Sequence, residues 1–538
     1  ANEGILPQEK PAPGLFGNDE KELFQEKGIA LCKVDSVRQL EERLAIYRNL
    51  SRPRTQLWMS CSMADIEGNL SKPSGIFVRL TELFPQLAVE KDVLNRTGEA
   101  QMALACGGVA PLRHLTEALQ ETMEGKPLGE PWTEMLAWYQ QHDDAKLMPI
   151  RRGLAFTNKQ EALGRKVADA LYKRDFDTAL SLSPSRLERY ARCAFSHLIQ
   201  YGLKPEERRV FAVAPREIGD IYHQCLMELT AKLTLPDVPV TAPESPWMTM
   251  TREECRTFVE QTVARETASY REGLFQLGSE EQYRSRRIAD ICEKVCWVCI
   301  EQVRAGQILS SRFEVPFGRG RAIPPIAVEA EGRQIFIEGK IDRVDILRGE
   351  RVKIIDYKTG NENFSKSEAE AGYRLQLMLY LDACLREHTG GAARKPAGVF
   401  YFHISEPMVD WSAKEPDAEK LAQEVRKNFK MNGVLVDDPQ VIESIAGDFS
   451  GYSEILPLRN GKDGISATSG DTLLSETEFA ALTETVSQKV TELCRDLAAG
   501  KIDIEPMKTR DRSACTYCQY KGICRFDTIF EGCRWRIV

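Results

Sequence analysis

The sequence predicts an α/β fold whose larger part is a mixed sheet flanked by helices. Between Ser311 and Lys358 apolar residues recur with a period of two, helical spacing governs long stretches on either side, and Cys515, Cys518 and Cys524 follow the last helical stretch. At 538 residues the chain exceeds one core. A rate of roughly one domain per 150 residues suggests about three or four, grouped here in two main blocks.

Residues 1–152 read as mostly helical, with Val37–Tyr47 apolar at helical spacing and Gln56–Ser60 as a short strand. The pattern weakens over 153–182, which is expected to be a linker. Ser183-Pro184 then opens a helix, with Ser as cap and Pro at the first helical position, and begins a block over 183–538. Four prolines between 231 and 250 predict an extended loop, with long helices on both sides leading to a strand near residue 312. Gln334–Leu347 and Arg351–Lys358 form a predicted hairpin around Arg348-Gly349-Glu350. A helix over Tyr373–Arg386, a strand over Gly398–Ile404 and a helix over Glu476–Ala499 follow, the last with a Ser475/Glu478 capping box and Gly500 as its stop.

With 42% hydrophobic and 28% charged residues, and no run near the roughly 18 apolar residues of a membrane helix, the chain is expected to be soluble and to have no membrane partner. Residues 1–7 lack an initiator Met, a basic segment and an apolar segment, so they read as neither a natural start nor a signal peptide, and a fragment is expected. Fifteen Cys without a secretory signal argue for reduced thiols in the cytoplasm, and for a metal site, rather than for a disulfide framework. The net charge of −8 would repel nucleic acid overall, so any DNA contact must rest on a local basic groove.

A three-residue turn at 348–350 pairs Leu347 with Arg351 and, counting outward, brings Asp342 opposite Asp356, with Cβ atoms about 5 Å apart. Alternation puts Asp342 with Val344 and Ile346, and Val352, Ile354, Asp356 and Lys358 beside them, so two acids and a lysine end an apolar stripe. Adjacent carboxylates under an apolar cover are costly unless a cation compensates, and oxygen ligands on a rigid hairpin suit Mg²⁺ or Mn²⁺. The spacing fits ordinary ion pairs equally well, Asp342 with Arg343 or Lys340 and Asp356 with Lys358. Asp345 could also be read as a ligand, but alternation sends it to the opposite face, so it reads as a support behind the ligands or as structural.

Ile337-Glu-Gly-Lys-Ile-Asp-Arg-Val-Asp345 followed by Ile354-Ile-Asp-Tyr-Lys-Thr-Gly360 resembles the motif of RecB-family PD-(D/E)xK nucleases. The resemblance implies that Asp342 and Asp356 bind metal, together with the Tyr357 carbonyl, and that Lys358 is catalytic. Gly219-Asp-Ile-Tyr-His223 resembles that family's helix carrying a metal-binding His, and Gln376-Leu-Met-Leu-Tyr380 resembles its Q-xxx-Y helix, which implies roles for His223, Gln376 and Tyr380.

Cys515, Cys518 and Cys524 form a C-x₂-C-x₅-C pattern in which three thiolates can converge on one centre. On residues alone the fourth ligand is either Cys533, giving a local zinc site, or the distant Cys193. Leu182-Ser-Pro-Ser-Arg-Leu-Glu-Arg-Tyr-Ala-Arg-Cys193 resembles the opening of iron-sulfur nucleases of the superfamily, in which one Cys precedes the core and three follow it. That resemblance implies a 4Fe-4S cluster on Cys193, Cys515, Cys518 and Cys524. Cys292, Cys296 and Cys299 share one apolar helix and read as core residues.

Asn2-Glu-Gly-Ile-Leu-Pro7, Glu41-Glu-Arg43 and Leu50-Ser-Arg-Pro-Arg-Thr-Gln-Leu-Trp58 resemble the last motifs of UvrD-like superfamily 1 helicases in degenerate form. Ser51-Arg52-Pro53 replaces the active T-R-A sequence and no G-x₄-G-K-[ST] loop occurs, so no ATPase or helicase activity is expected. A degenerate helicase part joined to an iron-sulfur nuclease resembles the C-terminal part of the AddB family. This implies a Mg-dependent exonuclease acting on single-stranded DNA at duplex ends, trimming the 5′-ended strand for homologous recombination beside an AddA-type subunit. The rival expectations are a nuclease-inactive DNA-binding and assembly subunit, and a stand-alone CRISPR-adaptation nuclease, which the first 150 residues disfavour.

Overall fold

The computed structural model describes residues 2–7, 16–29, 35–64, 70–89, 102, 104–105, 110–157, 162–172, 179–206, 213, 215–236, 238–360, 362–387, 393–404, 429–468, 470, 472–510, 512–528 and 531–538. Two compact units divide the chain at residue 155.

In the first unit the described helices are Asn18–Glu26, Asp35–Ser51, Gly75–Leu83, Ala110–Met123, Glu130–His142 and Asp144–Leu154. The last three close a small core of Leu115, Trp132, Met135, Tyr139 and Leu147. The strand expected over Gln56–Ser60 does not form, because nothing among the described residues pairs with it and Leu57 and Trp58 stand exposed.

In the second unit, helix α1 (Arg165–Tyr172) and strand β1 (Leu180–Leu182) occupy much of the span expected as linker. Ala168, Tyr172, Leu180 and Leu182 are buried in the unit's core, so apolar burial organises a stretch whose periodicity was too short to read. Helix α2 (Pro184–Arg192) follows, with Ser183 Oγ accepting the Arg186 amide as the predicted cap. Helices α3 (Pro215–Leu233), α4 (Arg252–Ser269) and α5 (Ser279–Ala305) come next. The proline-rich stretch between α3 and α4 carries one helical turn, Pro246–Thr249, pinned by the wholly buried Trp247.

Strands β2 (Ile308–Phe317), β3 (Ile326–Ala330), β4 (Arg333–Ile337), β5 (Gly339–Leu347) and β6 (Arg351–Lys358) precede helix α6 (Gln376–Leu385). Strands β7 (Lys395–His403), β8 (Asn432–Val436) and β9 (Leu473–Leu474) and helix α7 (Glu476–Ala498) complete the main architecture. The main sheet has the order β9-β8-β7-β6-β5-β2, with β6 parallel to β7, β8 parallel to β9 and the other pairs antiparallel. The hairpin register is the predicted one, Leu347 opposite Arg351, and Gly349 and Glu350 both take positive φ in its turn.

The single strand expected over 334–347 is two strands in two sheets, since β4 joins β1 and β3. The break lies at Glu338, whose amide bonds Leu182 O and whose carboxylate accepts from Ser181 Oγ and the Arg319 amide. Alternate residues of β5 to β8 feed cores on opposite faces of the main sheet. Val344, Ile354, Val399 and Tyr401 meet α6 and α7, whereas Leu347, Ile355, Phe400 and Phe402 meet α3, α4 and α5. The outcome is a mixed sheet between two helical layers.

Candidate metal centre and cysteine cluster

The site grows from an irregularity in β2 and β5. Their ladder pairs Phe313 with Arg343 and Val315 with Ile341, and between these pairs Glu314 takes a left-handed φ of 51°. For a residue with a Cβ this conformation is strained, as is common at functional sites. Helix α3 brings His223 to the same place: its Nδ1 lies 3.6 Å from Glu314 Oε1 and 3.9 Å from Asp342 Oδ2. Ligand atoms of His223, Glu314 and Asp342 all fall within 4.8 Å of one another, the one such trio of His, Cys, Asp or Glu among the described residues.

Asp342 Oδ2 also accepts the Tyr357 amide at 2.9 Å, which fixes that peptide beside the trio. Asp356 is buried and joined to a polar network: its Oδ1 accepts from Gln376 Nε2 at 2.9 Å, and Lys358 Nζ lies 2.5 Å from its Oδ2. Gln376 Oε1 accepts from Lys358 Nζ at 3.1 Å, while its Nε2 also reaches the Tyr380 hydroxyl at 2.7 Å. Lysine can only donate and a carboxylate can only accept, so these partners fix the orientation of the Gln376 amide.

Burial raises the Asp356 carboxyl to about 7, with Asp342 adding to the rise and Lys358 opposing it. Burial also raises Asp342, against His223, the Tyr357 amide and Lys358. Burial alone would lower His223 and Lys358, but Glu314 and Asp342 raise the first and Asp356 the second. Two acids that resist ionising together beside a histidine drawn towards its cation are the electrostatics of a centre short of positive charge.

A divalent cation fits that shortage. Asp356 Oδ2 and Glu314 Oε2 are buried, and each is met by a single lysine ammonium, Lys358 and Lys340. His223 Nδ1 lies 3.6 and 3.9 Å from the Glu314 and Asp342 oxygens, inside the roughly 4.2 Å that two ligands of one ion can span with bonds of about 2.1 Å. Glu314 escapes a reading of the sequence because it sits between Phe313 and Val315, where an acid looks like an ordinary solvent-facing strand residue. Only the pairing with β5 reveals it.

Asp345 lies on the other face. Ser311 Oγ and Arg343 Nε donate to its Oδ1 at 2.6 and 2.8 Å, and Lys353 Nζ stands 2.6 Å from its Oδ2, with Arg343, Asp345 and Lys353 all fully buried.

Cys193 directly follows α2, and its thiol is raised to about 11 by burial, with Cys518 and Cys524 adding to the rise. Cys515 is raised to about 12 by burial, with contributions from Cys193, Cys518 and Cys524. These four thiols therefore share one electrostatic neighbourhood. Backbone amides of Phe195 and Ser196 donate to the Cys193 sulfur, and that of Phe526 to Cys524, bonds that favour thiolates and so fit a metal or iron-sulfur centre. Cys533 is buried and contributes to the surroundings of Cys524. Cys292, Cys296 and Cys299 lie in the core against α3 and α4.

A mixed sheet between helices, with an acid and an Asp-x-Lys end on neighbouring strands, defines a nuclease class. The chain belongs to the PD-(D/E)XK nuclease superfamily, whose family profile matches residues 181–525. The profile of the ATP-dependent helicase/deoxyribonuclease AddB fifth domain matches residues 97–149. Over its whole length the chain is 33% identical to the B-type subunit of the ATP-dependent helicase/deoxyribonuclease of Alkaliphilus oremlandii, and over 99% of it 31% identical to that of Alkaliphilus metalliredigens. The Clostridium perfringens counterpart is 28% identical over the full chain. The sequence is thus of the AddB type, and the chain spans about half the length of the curated relatives it matches, 46% in each of these three.

Proposed function

We propose that the chain is a Mg²⁺- or Mn²⁺-dependent exonuclease for single-stranded DNA, working at duplex ends in the cytoplasm alongside an AddA-type helicase-nuclease partner. In this reading it trims the 5′-ended strand so that breaks can enter homologous recombination. The observation that carries it is the meeting of His223, Glu314 and Asp342 next to the bonded group of Asp356, Lys358 and Gln376.

His223, Asp342, Asp356 and the Tyr357 carbonyl hold the ion in this reading, and Glu314 joins them. When bound, the ion supplies a Lewis acid and an acidified water at neutral pH. Lys358 orients the attacking water and offsets charge gathering on the phosphate. Gln376, itself held against Tyr380, keeps Lys358 and Asp356 in place.

Cys193, Cys515, Cys518 and Cys524 carry a 4Fe-4S cluster that ties the start of the nuclease unit to the segment after α7. The amide-to-sulfur bonds and shared electrostatics of these thiols support it. Residues 1–152 act as a degenerate helicase-like part without ATPase activity, a reading that rests on Ser51-Arg52-Pro53 and on the missing phosphate loop.

Cleavage of end-labelled single-stranded DNA with Mg²⁺ by the anaerobically purified chain tests the assignment. Asp342→Ala and Lys358→Ala should abolish cutting while the circular dichroism spectrum is kept. Cutting at the parent rate by either variant overturns it.

A further inference from the structure

One buried acid near this centre takes no part in holding the ion. Glu188 lies on α2, is 8% exposed, and makes one long ion pair, its Oε2 standing 3.9 Å from the partly exposed Arg192. Its Oε1 instead accepts two backbone amides, Leu375 at 2.7 Å and Gln376 at 2.9 Å, at the N-terminus of α6. Those amides have no carbonyl partner within their own helix, and a carboxylate there satisfies both and complements the helix dipole. Nothing local supplies this cap. Leu375, the residue at the cap position, offers no side-chain acceptor, and Glu188 reaches across 187 residues of sequence to replace it.

The first residue of α6 is Gln376, whose amide holds both Lys358 and Asp356. A shift at the start of this helix therefore moves the group that spaces the lysine from the acid. We propose that Glu188 is a positioning residue for the nuclease centre: by capping α6 across the domain it fixes Gln376, and through Gln376 the placement of Lys358 and Asp356. The inference rests on the nuclease reading of that centre. It also makes α2 a common element of two sites, since the same helix ends at Cys193.

Glu188→Met keeps the side-chain volume and removes the acceptor, whereas Glu188→Gln keeps an acceptor oxygen and removes the charge. In the full chain, iron content, single-turnover cleavage of saturating single-stranded DNA with Mg²⁺, and hydrogen exchange at the Leu375 and Gln376 amides are compared. The Met variant should keep its iron and DNA affinity, lose protection at both amides and cut about 100-fold more slowly, the cost expected from a misplacement of about 1 Å. The Gln variant should retain protection and most of the rate. A Met variant that cuts at the parent rate, or a Gln variant as slow as Met, overturns the proposal. If the parent chain itself cuts nothing, the nuclease reading fails instead, and the exchange data alone decide whether Glu188 caps the helix.

Discussion

Gln376 Nε2 donates to Asp356 Oδ1 at 2.9 Å while its Oε1 accepts from Lys358 Nζ at 3.1 Å, so one amide spans the acid and the lysine. Gln376→Ala should remove both bonds and leave Lys358 and Asp356 held by their ion pair alone. Single-turnover cleavage is expected to fall on the order of 10- to 100-fold with DNA affinity unchanged, as for loss of a group that orients others. Quench-flow measurement at saturating DNA reads the effect directly, and an unaltered rate would remove Gln376 from the working site.

Glu314 faces His223 from its left-handed position within β2 and shares its carboxylate with Lys340. If it is a ligand, Glu314→Ala weakens Mn²⁺ binding by on the order of tenfold or more. Isothermal titration with Mn²⁺ alone, without DNA, isolates this contribution. Binding as tight as in the parent chain would return Glu314 to the role of a simple partner for Lys340.

The buried Asp345 gives the domain an acid-sensitive brace. Burial works against its ionisation, but Arg343 and Lys353 outweigh it and hold the carboxyl down at about 2, below an unfolded value near 3.9. A depressed carboxyl stabilises the fold fully above the unfolded pKa and loses that contribution as pH falls through the folded one. The brace should therefore weaken between about pH 4 and pH 2, by roughly 2 kcal/mol. Asp345→Asn strands two buried cations at neutral pH and should cost about 3–5 kcal/mol. Urea unfolding of both chains from pH 7 down to pH 3 is the check: a variant as stable as its parent at pH 7 would contradict the buried pairing.

Iron analysis and the visible spectrum of anaerobically purified protein separate the two cysteine sets. Cys193→Ala should lose the chromophore and the four irons, whereas Cys533→Ala should keep them. Zinc that depends on Cys533 would reverse the assignment.

Much of this centre was legible because a hairpin obeys simple counting. A three-residue turn and a period of two were enough to set Leu347 against Arg351, Asp345 on the far face, and the Asp-x-Lys end beside Asp342. Ser183 and Ser475 announced their helices by side-chain capping, which is local chemistry. What escaped depended on distant partners. Glu338 splits one apparent strand into two sheets through bonds to residues 181, 182 and 319, and Glu314 becomes a ligand candidate only when β2 meets β5. Residues 165–172 and 180–182 read as linker because eight and three residues hold too little periodicity to stand out, although their apolar side chains are buried.

The Tyr190 hydroxyl bonds the carbonyl of Lys501, 311 residues later, and β1 lies in register with β4, from residues more than 150 positions on. On a ribosome adding about 5–20 residues per second, α2 would wait many seconds before its last partners exist. During that interval Leu180, Leu182 and Leu187 are apolar surface without cover, so the earliest part of the nuclease unit to be made is among the last to reach its final contacts. Such long-range closure leaves these contacts to form only after the sheet has been made, an interval in which a chaperone has time to act.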